Sequence, residues 1–399
     1  MQLRQQVDLA IDRNTETAEQ LVRFMYEHPE TAKEEILASS RITELLKKKG
    51  FAVEYPYLQK ELGYGTAFRA VLENGSGPKV AILVEYDALP ELGHGCGHNL
   101  HGALSTLASL ALFDLKEQFQ GTLYVIGTPA EEGDGAKLLM SELGIFDAMD
   151  LAVMMHSCGA ISYTDMDALS LRCYELTFHG QQSHAAAAPW AGHNALTAAR
   201  KFLDLVDARR ESLAPYSIFS AVIKEGGIQA NIIPDYAMLH LEFRSKSRAE
   251  LEELNRIVKN CASAAALAMD CTAEFKALFP DFYDMVRIPV LEEEVHTLMQ
   301  SREEEIAAPE RPSGSTDMGN VSYRCPSIQP MICITKQALA LHTAELRDST
   351  IQPFAIEQMK KGAAVICELA LKLFHDKAFC TEVRKSFETE LKKKEDIAL

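Results

Sequence analysis

The chain has 399 residues, of which 47% are hydrophobic and 24% charged, the composition of an ordinary soluble globular protein with enough length for two domains. Its formal net charge of −17 argues against nucleic acid or an anionic membrane as a partner and leaves small-molecule chemistry. No apolar run approaches the ~18 residues of a membrane span, no signal-peptide pattern follows Met1, and the cysteines lack framework spacing, so free thiols and a cytoplasmic setting are expected.

Leu9, Ile11, Leu21, Phe24 and Met25 keep a helical period, and His28-Pro29-Glu30 interrupts it, which predicts two helices within residues 1–50. Strands are expected at Phe51–Tyr55, Ala67–Leu72 and Lys79–Tyr86, followed by a helix over about Ala103–Leu115. Further strands, Thr122–Ile126 and Leu151–Met155, flank a helix near Ala136–Glu142. Strands alternating with helices mean a mostly parallel sheet covered on both faces. The texture changes near residue 168, where strands and helices follow in the order β-α-β-β-α-β, a ferredoxin-like signature. The expectation is an α/β domain made of residues 1–167 and 281–399, with an inserted α+β domain over 168–280.

The chemistry gathers at strand ends, where open α/β sheets bind their ligands. Gly93-His94-Gly95-Cys96-Gly97-His98-Asn99-Leu100-His101-Gly102 follows the apolar run Val80–Val84 and offers thiol and imidazole donors on a glycine-rich loop. An extended segment would carry Cys96 and His98 to one side. Glu131 and Glu132 follow Thr122–Ile126, His156 follows Leu151–Met155, and His342 lies after Met331–Ile334. Two adjacent carboxylates at a buried strand end repel unless a cation sits between them or one holds a proton. One can then bind a metal while its neighbour serves as general base. His101 opens a helix and is expected to orient a ligand from behind.

The motifs Asp87-Ala88-Leu89-Pro90, Gly95-Cys96-Gly97-His98-Asn99-Leu100-His101-Gly102, Pro129-Ala130-Glu131-Glu132-Gly133 and Ser183-His184-Ala185-Ala186 stand in one order along the chain. Asn231-Ile232-Ile233-Pro234-Asp235, Gly314-Ser315-Thr316-Asp317 and His342-Thr343 continue it. Together they resemble the aminoacylase/carboxypeptidase family of dinuclear metallopeptidases. Within that family they are most similar to the branch of indole-acetyl-amino-acid, hippurate and aminobenzoyl-glutamate hydrolases. The resemblance covers essentially the whole chain. It implies two divalent ions, zinc or manganese with cobalt a further option, held by Cys96, His98, Glu132, His156 and His342. It also implies Glu131 as the base and an inserted lid and dimerisation domain, hence a homodimer. His184 would polarise the scissile carbonyl, in many relatives that of the partner subunit's site. Asn231, Arg244 and Asp317 would face the substrate, and Asp87 would support a ligand beside His101. A guanidinium matches a carboxylate bidentately, which suits Arg244 to that task.

Two departures bear on the metal. Many relatives carry aspartate where this chain has Asn99, and other branches place a ligand histidine where it has Glu85. The bridging ligand is therefore open. The expected activity is metal-dependent hydrolysis of an N-acyl amino acid of the aminobenzoyl-glutamate kind, with a β-alanyl-type dipeptidase as the alternative. A non-catalytic metal-dependent binding protein is a reading of another class. A Cys96 nucleophile with His98 as its base is a third, and it predicts inactivation by alkylation but not by chelators.

Overall fold

The computed structural model describes residues 2–307 and 314–396. Its contacts divide the chain into two compact units. Of the described residues, one takes in 2–167, 285–307 and 317–393, the other 168–284, 314–316 and 394–396.

The first unit is built on a six-stranded sheet in the spatial order Ala52–Glu54, Phe68–Asn74, Gly121–Gly127, Lys79–Val84, Leu151–Val153, Ser327–Ile328. The last four strands run parallel, and the first two add an antiparallel edge. Lys79–Val84 is buried from its second residue onward. That is why its sequence reads as an unbroken apolar run rather than an alternation, since both faces are covered by helices. The helices Gln2–Glu27, His98–Asp114 and Pro353–His375 pack on one another over this sheet and share its core. His98–Asp114 is buried almost throughout, so it needs no polar face.

That helix starts about five residues before the expected Ala103. Its first turn, His98-Asn99-Leu100-His101-Gly102, holds a single apolar side chain, too few to show a helical period. Gly97, at φ +85°, makes the left-handed step that lets the helix begin at His98. Gly102 is needed for a different reason: a Cβ there would lie 2.1 Å from the backbone oxygen of Glu85. The helix is thus laid directly on the end of the central strand. A separate parallel pair, His156–Cys158 with Met331–Cys333, follows the strand Leu151–Val153.

The second unit has an antiparallel sheet in the order Thr272–Ala277, Ser170–His179, Tyr236–Ser245, Ile218–Glu225. Helices Ala195–Arg209 and Arg248–Ala268 pack against it and complete the ferredoxin-like pattern. Tyr236–Ser245 alternates strictly between buried and half-buried positions, as a strand with one covered face should. Both helices start on a capping side chain: Asn194 accepts from the Thr197 amide and Ser247 from the Glu250 amide. Among the described residues no helix is long and apolar enough to cross a membrane.

Candidate metal centre

In the first unit, three strand ends and one loop bring donors together. Cys96 precedes the helix His98–Asp114, whose first turn points His98 and His101 the same way. Possible ligand atoms of Cys96, His98 and Glu132 lie within 4.8 Å of one another, as do those of Glu85, His98, His101 and His156. His156 Nε2 is 3.6 Å from Cys96 Sγ. His342 Nε2 is 3.4 Å from Glu132 Oε1. The five side chains named from the resemblance as ligands therefore form one continuous group. Cys96 and His98 reach it from a helix start, though, and not from an extended segment.

His98 Nε2 and Glu132 Oε1 face each other at 3.8 Å. Both atoms are buried, and neither has a hydrogen-bond partner. Two orphaned polar atoms so close in the interior would each cost about 1–3 kcal/mol, and a cation between them removes both costs. Burial also pushes the Cys96 thiol well above its ordinary range, so a thiolate there requires a neighbouring positive charge. Burial works against ionisation of Glu132 as well. The His342 imidazole beside it and the charge of His98 nonetheless hold it down at about 2. The donor set of one soft thiol, three imidazoles and a carboxylate suits a borderline divalent ion.

Asp87 supports two of these residues at once. One oxygen pairs with His98 Nδ1 at 2.9 Å, and the other accepts from the Glu132 amide at 2.9 Å. With Nδ1 committed to the carboxylate, His98 presents Nε2 to the centre. His101 lies behind, between Glu85 Oε2 at 2.9 Å and Ser157 Oγ at 3.2 Å.

Glu131 Oε2 is 3.9 Å from His98 Nε2, and its side chain keeps 12% exposure, so water can reach it. The loop that carries it turns at Ala130, a non-glycine residue at φ +63°. Buried Glu35 holds that turn, accepting from the Ala130 amide and from Thr66 Oγ1, both at 2.8 Å. His342 is also left-handed, at φ +61°, and its amide is tied to the oxygen of Gly95 at 2.9 Å.

Other expected residues fall elsewhere. Asp317 is fully buried and paired with Lys137 Nζ at 2.6 Å. Asn99 turns its amide to Thr350 Oγ1 at 2.9 Å and joins no ligand group among the described residues. His184, Asn231 and Arg244 belong to the second unit. There His184 is exposed and its Nδ1 accepts from the amides of Ala186 and Ala187 at 3.2 and 3.1 Å. Its neighbour strand begins at Ile232, and the oxygen of Asn231 accepts from the Ala185 amide at 3.0 Å. Arg244 bonds Glu242 at 2.9 Å and Ser315 at 3.1 Å. Sequence reasoning left Glu35, Glu85 and Lys137 out of the site. For Lys137 a signal existed: a lysine inside the apolar run Ala136-Lys137-Leu138-Leu139-Met140.

An α/β unit with thiol, imidazole and carboxylate donors at its strand ends, a carboxylate free to act as base, and a separate ferredoxin-like unit defines a metal-dependent hydrolase. Residues 170–270 match the peptidase dimerisation domain. A mouse Xaa-Arg dipeptidase is 34% identical over 96% of this chain and 92% of its own length. A p-aminobenzoyl-glutamate hydrolase chain of Escherichia coli is 28% identical over 67% of this chain and 59% of its own. The fold is shared with a Bacillus subtilis dinuclear metal-binding peptidase of the M20 family, at a TM-score of 0.67 and 18% identity over 89% of this chain and 98% of that one. The chain belongs to the M20 family of metallopeptidases and amidohydrolases.

Proposed function

We propose that this enzyme hydrolyses the amide bond beside the free carboxylate of a small dipeptide or N-acyl amino acid, using divalent metal held by Cys96, His98, Glu132, His156 and His342. The observation that carries the reading is the facing pair of unpartnered buried atoms, His98 Nε2 and Glu132 Oε1, with Glu131 alongside. A bound divalent ion supplies Lewis acidity and makes water acidic enough to react near neutral pH. Glu131 takes the proton of the attacking water and delivers it to the leaving amine. His184 polarises the scissile carbonyl and Arg244, with Asn231, holds the substrate carboxylate. Asp87 keeps His98 and the Glu132 backbone in place throughout.

Of the two substrate classes, a dipeptide with a basic C-terminal residue has the stronger support. The relative matched over nearly the full chain is an Xaa-Arg dipeptidase, and the aminobenzoyl-glutamate relative matches a smaller share at lower identity. Charge points the same way, because a protein of net charge −17 attracts a cationic dipeptide and repels a dianionic acyl-glutamate. The dimerisation-domain match supports a homodimer. The test is hydrolysis by metal-stripped protein after zinc, manganese or cobalt is returned. The panel holds Xaa-Arg, Xaa-Lys and β-alanyl dipeptides, aminobenzoyl-glutamate and N-acetyl amino acids. Metal-restored cleavage of basic dipeptides above the rest supports the proposal. Cleavage that survives chelation, or none on any substrate with metal bound, refutes it.

A further inference from the structure

Beside the metal-ligand group lies a second cluster that the proposed chemistry leaves unused. Ligand oxygens of Glu85, Glu131 and Asp317 come within 4.8 Å of one another, close enough to hold a divalent ion. A lysine occupies this place instead. Lys137 Nζ donates to Glu85 Oε1 and to Asp317 Oδ1, each at 2.6 Å, and all three side chains are fully buried. The Lys137 amide also points at Asp317 Oδ2, at 3.3 Å. An isolated buried ammonium would shed its proton. Here Asp317 and Glu85 outweigh burial and hold Lys137 protonated, above its ordinary range.

We propose that Lys137 is a built-in cation: its ammonium fills a three-carboxylate site that would otherwise take a divalent ion, and so keeps Glu131 from becoming a metal ligand. A carboxylate bound to metal gives up charge to the ion and becomes a weaker base. The same ammonium fixes Glu85, which bonds His101 Nε2 at 2.9 Å and stands 3.7 Å from His98 Nε2. Lys137 is therefore a positioning residue for both the base and the imidazole row. The consequence for Glu131 rests on the proposed function; the occupation of the carboxylate site does not.

The test is metal stoichiometry, measured without substrate by equilibrium dialysis against manganese or zinc and elemental analysis of the full chain. Lys137→Met should bind about one more ion per chain than the unaltered protein, and Lys137→Arg should not. Lys137→Met/Asp317→Asn, which removes a carboxylate together with the ammonium, should return to the unaltered stoichiometry. Equal binding by folded Lys137→Met and the unaltered chain would overturn the proposal. If Lys137→Met does not fold by circular dichroism, Lys137→Met/Glu85→Gln/Asp317→Asn, which neutralises both carboxylates bonded to the ammonium, decides. Its folding supports a charge role, and its failure to fold assigns the lysine to packing and overturns the idea. An unaltered chain that binds no metal at all would sink the metal-hydrolase reading while leaving the gain in Lys137→Met to be judged by itself.

Discussion

Glu35→Gln should make the protein more stable at alkaline pH, by an amount the structure sets. Glu35 is fully buried, and burial, reinforced by the charge of Asp87, raises its pKa from 4.5 to about 7. The folded chain thus holds a proton that the unfolded chain has lost between those values. Its contribution is complete below the unfolded value and is lost as pH rises through the folded one. At 1.36 kcal/mol for each tenfold in proton affinity, the interval from 4.5 to about 7 is worth about 3 kcal/mol. Glutamine keeps the shape and carries no charge. Its carbonyl accepts from the Ala130 amide and its amide donates to the Thr66 hydroxyl, which can turn to receive it. The assay is urea unfolding of metal-stripped protein followed by far-ultraviolet circular dichroism. Trp190, the only tryptophan, lies in the other unit, so its fluorescence reports the wrong region. The variant and the unaltered protein should match below pH 4 and diverge by about 3 kcal/mol by pH 8. A difference that does not change with pH, or a variant weaker at pH 8, would refute the reasoning.

Glu131→Gln should retain metal in full and lose about 10²–10⁴-fold in kcat, checked by steady-state kinetics beside elemental analysis; normal turnover would remove the base assignment. Cys96→Ala removes the sulfur 3.6 Å from His156 and should weaken metal affinity, read as a lower chelator concentration for half-removal. If alkylation abolished activity and chelators did not, a Cys96 nucleophile would replace the metal reading. Gly102→Ala would press a methyl group against the oxygen of Glu85 and should cost about 1–3 kcal/mol in unfolding and also loosen metal binding. Unchanged stability and affinity there would show that the helix start is free to move.

Local pattern carried much of this protein. The run Val80–Val84 announces a strand covered on both faces because every side chain in it must be apolar. Cys96, His98, one of Glu131 and Glu132, and His156 could be proposed as partners because open sheets collect function at one strand edge, and adjacent carboxylates at a buried end call for a cation. The start of the helix at His98 was not legible. Polar residues that face a metal pocket break the very period by which a helix is recognised.

What the sequence by itself determined is the family, the alternation that builds the α/β sheet, and the residue types that supply donors. Those rest on motifs and periods confined to short stretches of chain. Tertiary structure alone decided which charges meet. Lys137 finds Glu85 across 52 positions and Asp317 across 180, and Glu35 reaches the Ala130 amide across 95. No local pattern encodes such pairs, because each is set by how sheet and helices stack. A buried charge is stable only where that stacking brings its partner within hydrogen-bond reach.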